Sequence, residues 1–300
     1  MANETVNAAS PGVAGQSSAD TLAPRRSSRR IAESQITEAI GALERPALGL
    51  LISGLSGGLD VSFSLFLMAV MLTQVQNALP KPVTEMLVAA MYSIGYIFVI
   101  LGRSELFTEQ TALAILPVLN GRTTLRQLGR LWVLVYVANL AGCACFAYLA
   151  VLIGPSLGVI DVRVFGIIAD QVVRHAWWVI LLSGILAGWL MGLLGWLVAA
   201  GRDTISQLVV VALVTSAIGF SHLHHSIVGS TEVLAGLFAG QGITLADYGH
   251  FLLWATLGNI VGGAFFVSLF KYSQAVYRGS EPEPVSLEDT STLGSNKNSQ

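Results

Sequence analysis

Charged residues are scarce in this sequence of 300 residues. Asp, Glu, Lys and Arg make up 11% of the chain and hydrophobic residues 53%, whereas roughly a quarter of a soluble domain is charged. The mean hydropathy of +0.67 agrees with that shortage. An ordinary soluble enzyme is therefore excluded. The net charge is −2, so the chain also lacks the positive excess that attracts nucleic acid, and nucleic-acid binding is excluded.

Cysteine is nearly absent. The two cysteines, Cys143 and Cys145, stand two residues apart in an apolar run. Helical geometry points such a pair to different faces, which disfavours a mutual disulfide or a shared metal site. The cysteines therefore indicate nothing about the redox compartment.

The two ends of the chain differ from its middle. Residues 1–30 are rich in Ser, Ala, Asn and Gly, end in four arginines and hold no signal-peptide core, which predicts a disordered cytoplasmic tail. Residues 276–300 predict a second one. Apolar residues at 31, 36, 40 and 43 predict an interfacial amphipathic helix over 31–45. This helix is either a docking element or a lid.

Between the ends, residues 46–275 hold long apolar segments. Since about 20 apolar residues cross the hydrocarbon core of a bilayer, they predict six transmembrane helices, at about 47–72, 86–119, 130–153, 176–200, 205–238 and 249–271. Polar stretches at 102–111 and 219–232 interrupt the second and the fifth. Non-helical backbone at membrane depth is tolerated where it is buried in protein or lines a wet cavity. The two breaks therefore predict a pathway through the membrane.

The basic residues predict the orientation of the spans. With the N-terminus in the cytoplasm, twelve lysines and arginines fall on the cytoplasmic side and three on the other: Lys81, Arg163 and Arg174. The positive-inside rule then puts both termini in the cytoplasm. Localisation in a bacterial-type inner membrane is the corresponding expectation.

An internal repeat connects the two halves. The first and fourth segments share a Ser-Gly-aliphatic pattern at 53–58 and 183–188, and the third and sixth share a small-Asn-aliphatic pattern around Asn139 and Asn259. Thr108-Glu109 and Thr231-Glu232 give a third match between the breaks. Three spans in each half mean that the second half enters from the opposite side, as in an inverted repeat. The fold expected is an all-α membrane protein of two inverted three-helix repeats, with helices 2 and 5 broken.

Four strings resemble the formate/nitrite transporter family: GRSELFT at 102–108, SGILAGWL at 183–190, HSI at 225–227 after Gly219-Phe220, and TLGNIVGG at 256–263. The resemblance covers residues 35–275. It implies an aquaporin-like fold, a homopentamer in the lipid bilayer with a pore in each protomer, and transport of a small monovalent anion, proton-linked in some modes. The extra cation in the second helix and three histidines in the fifth suggest a divergent subgroup.

The resemblance also implies which residues form the pathway. His225 corresponds to the central pore histidine, with His222 as a competing match; Thr108 corresponds to the family's loop threonine. Leu106 and Phe107 would supply an apolar constriction, although Phe107 suits plain packing equally well. A buried imidazole that an anion helps to protonate would couple the proton to the substrate.

The remaining ionisable groups inside the spans are also candidates for the pathway, because a charge in a membrane normally faces a cavity or another charge. If the repeat pairs Glu109 with Glu232, Arg103 neutralises one of them or attracts the anion; an internal ion-pair network is the alternative. The full set of pathway candidates adds Ser104, Glu105, His222 and His224. Asn139 and Asn259 were expected to tether the two breaks.

Three other functions were weighed. A metal-binding protein or membrane enzyme would use His222, His224, His225 and Glu232 as ligands, although neighbouring histidines diverge on a helix. A water or glycerol channel is disfavoured because no Asn-Pro dipeptide occurs. A transporter for a different small solute stays open. The preferred hypothesis is a transporter that is not an enzyme and that needs no metal or cofactor.

Overall fold

The fold is helical throughout, as the sequence predicts. The computed structural model describes residues 26–277. Most of both predicted tails lies outside the described residues. Where they are described, at residues 28–30 and 276–277, the chain is helical, so the boundaries of the disordered segments were wrong there.

Twelve α-helices follow one another along the described residues: α1 Ser28–Glu44, α2 Ala47–Val75, α3 Lys81–Leu101, α4 Phe107–Leu113, α5 Ile115–Leu119, α6 Leu125–Ser156, α7 Val162–Val173, α8 Trp177–Ala200, α9 Thr204–Phe220, α10 Ser226–Phe238, α11 Leu245–Ile260 and α12 Phe270–Tyr277. A π-helical segment, Val261–Leu269, joins α11 to α12.

Within residues 26–277, five helical stretches are long and apolar enough to cross a membrane: α2, α3, α6, α8 and the stretch Leu245–Tyr277. The fifth predicted segment is divided between α9 and α10, which are 17 and 13 residues long. The second is divided among α3, α4 and α5. The count of six spans therefore stays a prediction.

The predicted amphipathic helix extends over Ser28–Glu44. The Ser27 hydroxyl caps it by accepting a hydrogen bond from the Arg30 N–H, which satisfies one of the free donors at a helix start. Ile31 and Ala32 pack against Trp196 of α8. That the helix lies at a membrane interface stays a prediction.

A second helix of this kind, α7, was missed in the sequence. Asp161 caps it, and its buried residues Val164, Phe165, Ile168 and Ala169 follow a helical spacing. Just as α1 directly precedes α2 in the first half, α7 directly precedes α8 in the second. The repeat therefore includes one amphipathic helix in each half.

The core of each half is a close pair of helices, α2 with α6 and α8 with α11. Gly58 lies against the backbone of Asn139, and Gly188 lies against the backbone of Asn259 in the same way. A Cβ atom at either glycine would collide with the carbonyl oxygen of that asparagine. Small residues thus allow the backbones to approach, as is common between membrane helices.

Candidate functional site

Two short breaks lie between packed helices, at residues 102–106 between α3 and α4 and at residues 221–225 between α9 and α10. The Asn139 side chain accepts a hydrogen bond from the Phe107 N–H (2.8 Å) and donates to the carbonyl oxygens of Gly54 (2.6 Å) and Glu105 (2.9 Å). One amide therefore connects the first break to two neighbouring helices.

Asn259 repeats this arrangement in the other half. Its side chain accepts from the Ser226 N–H (2.8 Å) and donates to the carbonyl oxygens of Gly184 (2.9 Å) and His224 (3.0 Å). Each break is further held by a serine hydroxyl: Ser53 accepts from the Glu105 N–H (3.1 Å) and Ser183 from the His224 N–H (3.0 Å).

These matching hydrogen bonds correct the alignment of the two breaks. Glu105 is equivalent to His224 and Phe107 to Ser226, an offset of 119 residues. The pairing of Thr108-Glu109 with Thr231-Glu232 was wrong, because Thr231 and Glu232 lie about one helical turn further along α10. Glu109 and Glu232 therefore do not occupy equivalent places, and the equivalent of Glu232 is the apolar Leu113.

The chain enters both breaks through a left-handed residue. Arg103 has φ 58° and His222 has φ 49°, and the two positions are equivalent by the same offset. Residues other than glycine adopt this conformation at an energetic cost and are found in it disproportionately at functional sites. The unexpected arginine of the first break thus stands at a turning point of the backbone.

The start of α4, directly after the first break, meets the second break at Thr108 and His225. The Thr108 hydroxyl lies 2.7 Å from His225 Nε2, and both residues are buried. The Val228 N–H donates to His225 Nδ1 (3.4 Å), so Nε2 carries the proton of the neutral ring and donates to Thr108. Tyr96 packs edge-on against the imidazole, with ring centroids 5.3 Å apart.

Leu106 and Phe107 have different surroundings. Leu106 is fully buried and is the positional counterpart of His225 in the other break. The Phe107 ring packs against Tyr136 and Trp132 of α6, with centroids 4.7 and 6.2 Å away. These contacts favour packing over constriction for Phe107.

The acidic side chains of Glu105 and Glu109 lie at the first break and directly after it. Glu105 forms an ion pair with Arg45, whose guanidinium lies 2.8 Å from the carboxylate, and a hydrogen bond with Gln110. Glu109 has Glu38 and Glu105 as charged neighbours. Arg103 is exposed and, among the described residues, forms no ion pair with Glu109 or Glu232. Of the two roles expected of Arg103, neutralisation of one of these glutamates finds no support in this geometry, and attraction of the anion stays a prediction.

Ser104 makes a separate polar contact. Its hydroxyl donates to Asp60 Oδ2 (2.8 Å), which also accepts from Ser56 (3.1 Å). Asp60 lies in the middle of α2, and two hydroxyl donors satisfy its carboxylate there. Ser104 thus ties the first break to α2.

A pocket of about 440 Å³, counted with its open mouth, lies beside the second break. We call it the histidine pocket; its lining includes His222, His224, His225, Tyr92 and Glu232. His224 is fixed on both ring nitrogens, by the Ser183 hydroxyl (2.9 Å) and the Val172 carbonyl oxygen (3.0 Å). His222 is exposed.

The metal-site alternative finds no support in this pocket. Residues 26–277 contain no group of three or more His, Cys, Asp or Glu side chains that could hold a metal ion. His224 and His225 direct their ring nitrogens at other protein groups, so these nitrogens are engaged in hydrogen bonds and do not converge on a metal position.

Several site residues were missed in the sequence. Arg45, Gln110 and Tyr96 all contact a break residue directly. Arg45 and Tyr96 are distant along the chain from their partners Glu105 and His225, and Gln110 is five residues from Glu105 across the start of α4, so no local pattern indicates these contacts. Ser53 and Ser183 were seen as members of the repeat, but their hydrogen bonds to the breaks were not anticipated.

The fold and the paired breaks define a membrane protein built for transport, and comparison with known proteins identifies its family. The family model for formate/nitrite transporters matches residues 29–273. The chain belongs to the formate/nitrite transporter family. The predicted resemblance is confirmed, as is the prediction of a transporter rather than an enzyme.

Its relatives include the inner membrane protein YfdC of Escherichia coli (strain K12), which is 31% identical over 77% of this chain and 74% of that protein. The nitrite transporter NirC of Salmonella typhimurium is 27% identical, over 83% and 91%. The formate channel FocA of Haemophilus influenzae is 25% identical, over 77% and 87%.

Solved structures show the same fold. An FNT family ion channel superposes with a TM-score of 0.71 at 24% identity, covering 81% of this chain and 97% of that one. A pentameric formate channel with formate bound gives a TM-score of 0.66 at 21% identity, covering 77% and 98%.

Proposed function

We propose that this protein conducts a small monovalent weak-acid anion, such as formate or nitrite, through a pore in each protomer, with His225 as the pore histidine. The observation that carries the proposal is the 2.7 Å hydrogen bond between Thr108 and His225. It joins the two breaks, which are the parts of the transmembrane region where backbone leaves helical geometry.

The chemistry of this contact suits an anion that carries a proton. In the neutral ring, Nε2–H is the one donor and is directed at Thr108. An anion arriving beside the ring favours its protonated form, because opposite charges in an apolar environment attract strongly. The ring can then pass the proton to the anion, which crosses the apolar surroundings as a neutral acid.

The surroundings support this path. Leu106 is apolar and fully buried beside the contact, and apolar constrictions exclude hydrated ions. The N-terminus of α10 begins at Ser226, next to His225, and helix starts carry partial positive charge. An anion is thereby stabilised near the histidine without a charged side chain.

Relatives supply the substrate class and the assembly. Some are named nitrite transporters or formate channels, and one structural neighbour is a pentameric formate channel. We therefore propose a homopentamer in an inner membrane with both termini in the cytoplasm. The alternative is a transporter of another small solute. The ion pair of Arg45 with Glu105 and the three pocket histidines would restrict which solutes enter the pore.

Uptake by purified protein in liposomes tests the proposal. We expect saturable uptake of formate and nitrite that rises as the external pH falls from 8 to 5, because each transported anion needs a proton. Hydrosulfide and acetate, offered at the same concentrations, define the size limit. Protein-free liposomes are the control for leak of the neutral acids. Uptake no faster than that leak for every anion would refute the function.

A further inference from the structure

Glu232 is a buried carboxyl group that takes no part in the contact between Thr108 and His225. It lies on α10 with 6% of its surface exposed, and among the described residues it has neither a hydrogen-bond nor an ion-pair partner. It nevertheless lines the histidine pocket. A buried carboxylate without a partner is strongly disfavoured, so its position at an open pocket requires an explanation.

Glu232 lies seven residues after His225, the N-cap residue of α10. Seven residues make about two helical turns and about 10 Å, and both side chains line the same pocket. A solute in this pocket therefore comes close to both Glu232 and His225. The equivalent position in the other break is Leu113, which is buried and apolar, so only one side of the passage carries this group.

The groups around Glu232 leave its charge uncompensated. Helix α3 brings Tyr92, which lines the same pocket, and Tyr96, whose hydroxyl lies 3.1 Å from that of Tyr92. Helix α6 brings Cys143 and α11 brings Tyr248, both near the first turns of α10. Helix α2 contributes Ser62, which is hydrogen-bonded to Thr231, and α7 contributes Ile168, Gln171 and Val172 to the pocket.

Asp170 of α7 is paired with Arg174. The second break adds the three pocket histidines.

We infer that Glu232 is a charge filter on the histidine-pocket side: an anion reaches His225 from this side only while the Glu232 carboxyl group is neutral. The inference rests on the proposed function. An ionised Glu232 repels an anion along the approach to His225, and little solvent is present to screen that repulsion. A neutral Glu232 removes the repulsion and offers an O–H donor to the anion.

The filter thus adds a proton requirement separate from that of His225. The proton stays on Glu232 while the anion passes, and no bond to the substrate is made or broken. The filter acts on charge, so a monovalent anion enters from this side more readily at acidic pH than at neutral pH. The filter acts on entry from one side, because Leu113 carries no charge.

The Glu232→Gln variant tests this inference, since glutamine keeps the shape and cannot ionise. We expect formate uptake at pH 7.5 to rise about tenfold over wild type, the factor that repulsion over about 10 Å implies at an effective dielectric constant near 20. At pH 5, uptake should match wild type, because the Glu232 carboxyl group of the wild type is then protonated and position 232 is uncharged in both proteins. Glu232→Asp keeps an ionisable group and should retain the wild-type ratio between the two pH values.

Two controls make the outcome specific. Glu33→Gln makes the same change at an exposed position of α1 and should leave uptake unchanged. Size-exclusion chromatography verifies that the variants keep the wild-type assembly. Equal uptake by wild type and Glu232→Gln at both pH values would overturn the filter while leaving the proposed function intact, and so would a loss at both. Absence of uptake by wild type would refute the proposed function itself.

Discussion

The Asn139→Ala and Asn259→Ala variants are expected to lose most of their stability. Each substitution removes three hydrogen bonds that join a break to its neighbours. It also leaves a buried N–H and two buried carbonyl oxygens with one hydrogen-bond partner fewer. Inside a membrane protein such groups cannot hydrogen-bond to water instead. At about 1–3 kcal/mol for each buried group left unsatisfied, we expect a loss of about 3–5 kcal/mol.

Denaturation of the purified variants in detergent measures this loss. The control is Asn77→Ala, which removes the same amide at an exposed position in the turn after α2. Because the two asparagines make the same set of contacts, their effects should agree within about 1 kcal/mol, which is within the scatter of such interactions. Unfolding curves equal to that of the Asn77 control would mean that the asparagines do not hold the breaks.

The second large effect is expected at the closest helix contacts. Alanine normally stabilises a helix by about 1 kcal/mol relative to glycine. In Gly58→Ala and Gly188→Ala the sign should reverse, because the added Cβ meets the carbonyl oxygen of Asn139 or Asn259. Backbone cannot rotate away as a side chain would, so the helix pair must separate. We expect a loss of about 3 kcal/mol, at the upper end for overpacking.

Gly129→Ala provides the matched control, since a Cβ there meets no atom within 4 Å. It lies in α6, the same helix as Asn139. The same detergent denaturation should show a small gain for Gly129→Ala and a clear loss for the other two. A gain at all three positions would contradict the close packing described for α2 with α6 and α8 with α11.

The transmembrane helices were predictable because lipid imposes the same requirement on each: about 20 apolar residues with satisfied backbone groups. The two asparagines were predictable as a pair, because each has a small residue before it and glycine after it at the same spacing. These signals are local. They matched the asparagines of the two halves correctly but paired the two breaks four residues out of register.

The features that were missed depend on contacts between distant residues. Thr108-Glu109 and Thr231-Glu232 are the same two residue types. Only the hydrogen bonds of Asn139 and Asn259 reveal that the second pair lies one helical turn further from its break than the first pair does. The ion pair of Arg45 with Glu105 joins residues 60 positions apart, and no sequence pattern specifies it. The amphipathic helix α7 was missed because its 12 residues are too few to cross a bilayer and fall between the third and fourth predicted segments.

The His225→Phe variant tests the central claim most directly, because in the proposed function the anion receives its proton from this one imidazole. The measurement is formate uptake into liposomes between pH 5 and 8, by wild type, His225→Phe and, as a control, His250→Phe at an exposed position. The account predicts uptake reduced to the leak of protein-free liposomes in His225→Phe and unchanged uptake in His250→Phe. Full, pH-dependent uptake by the His225→Phe protein would contradict it.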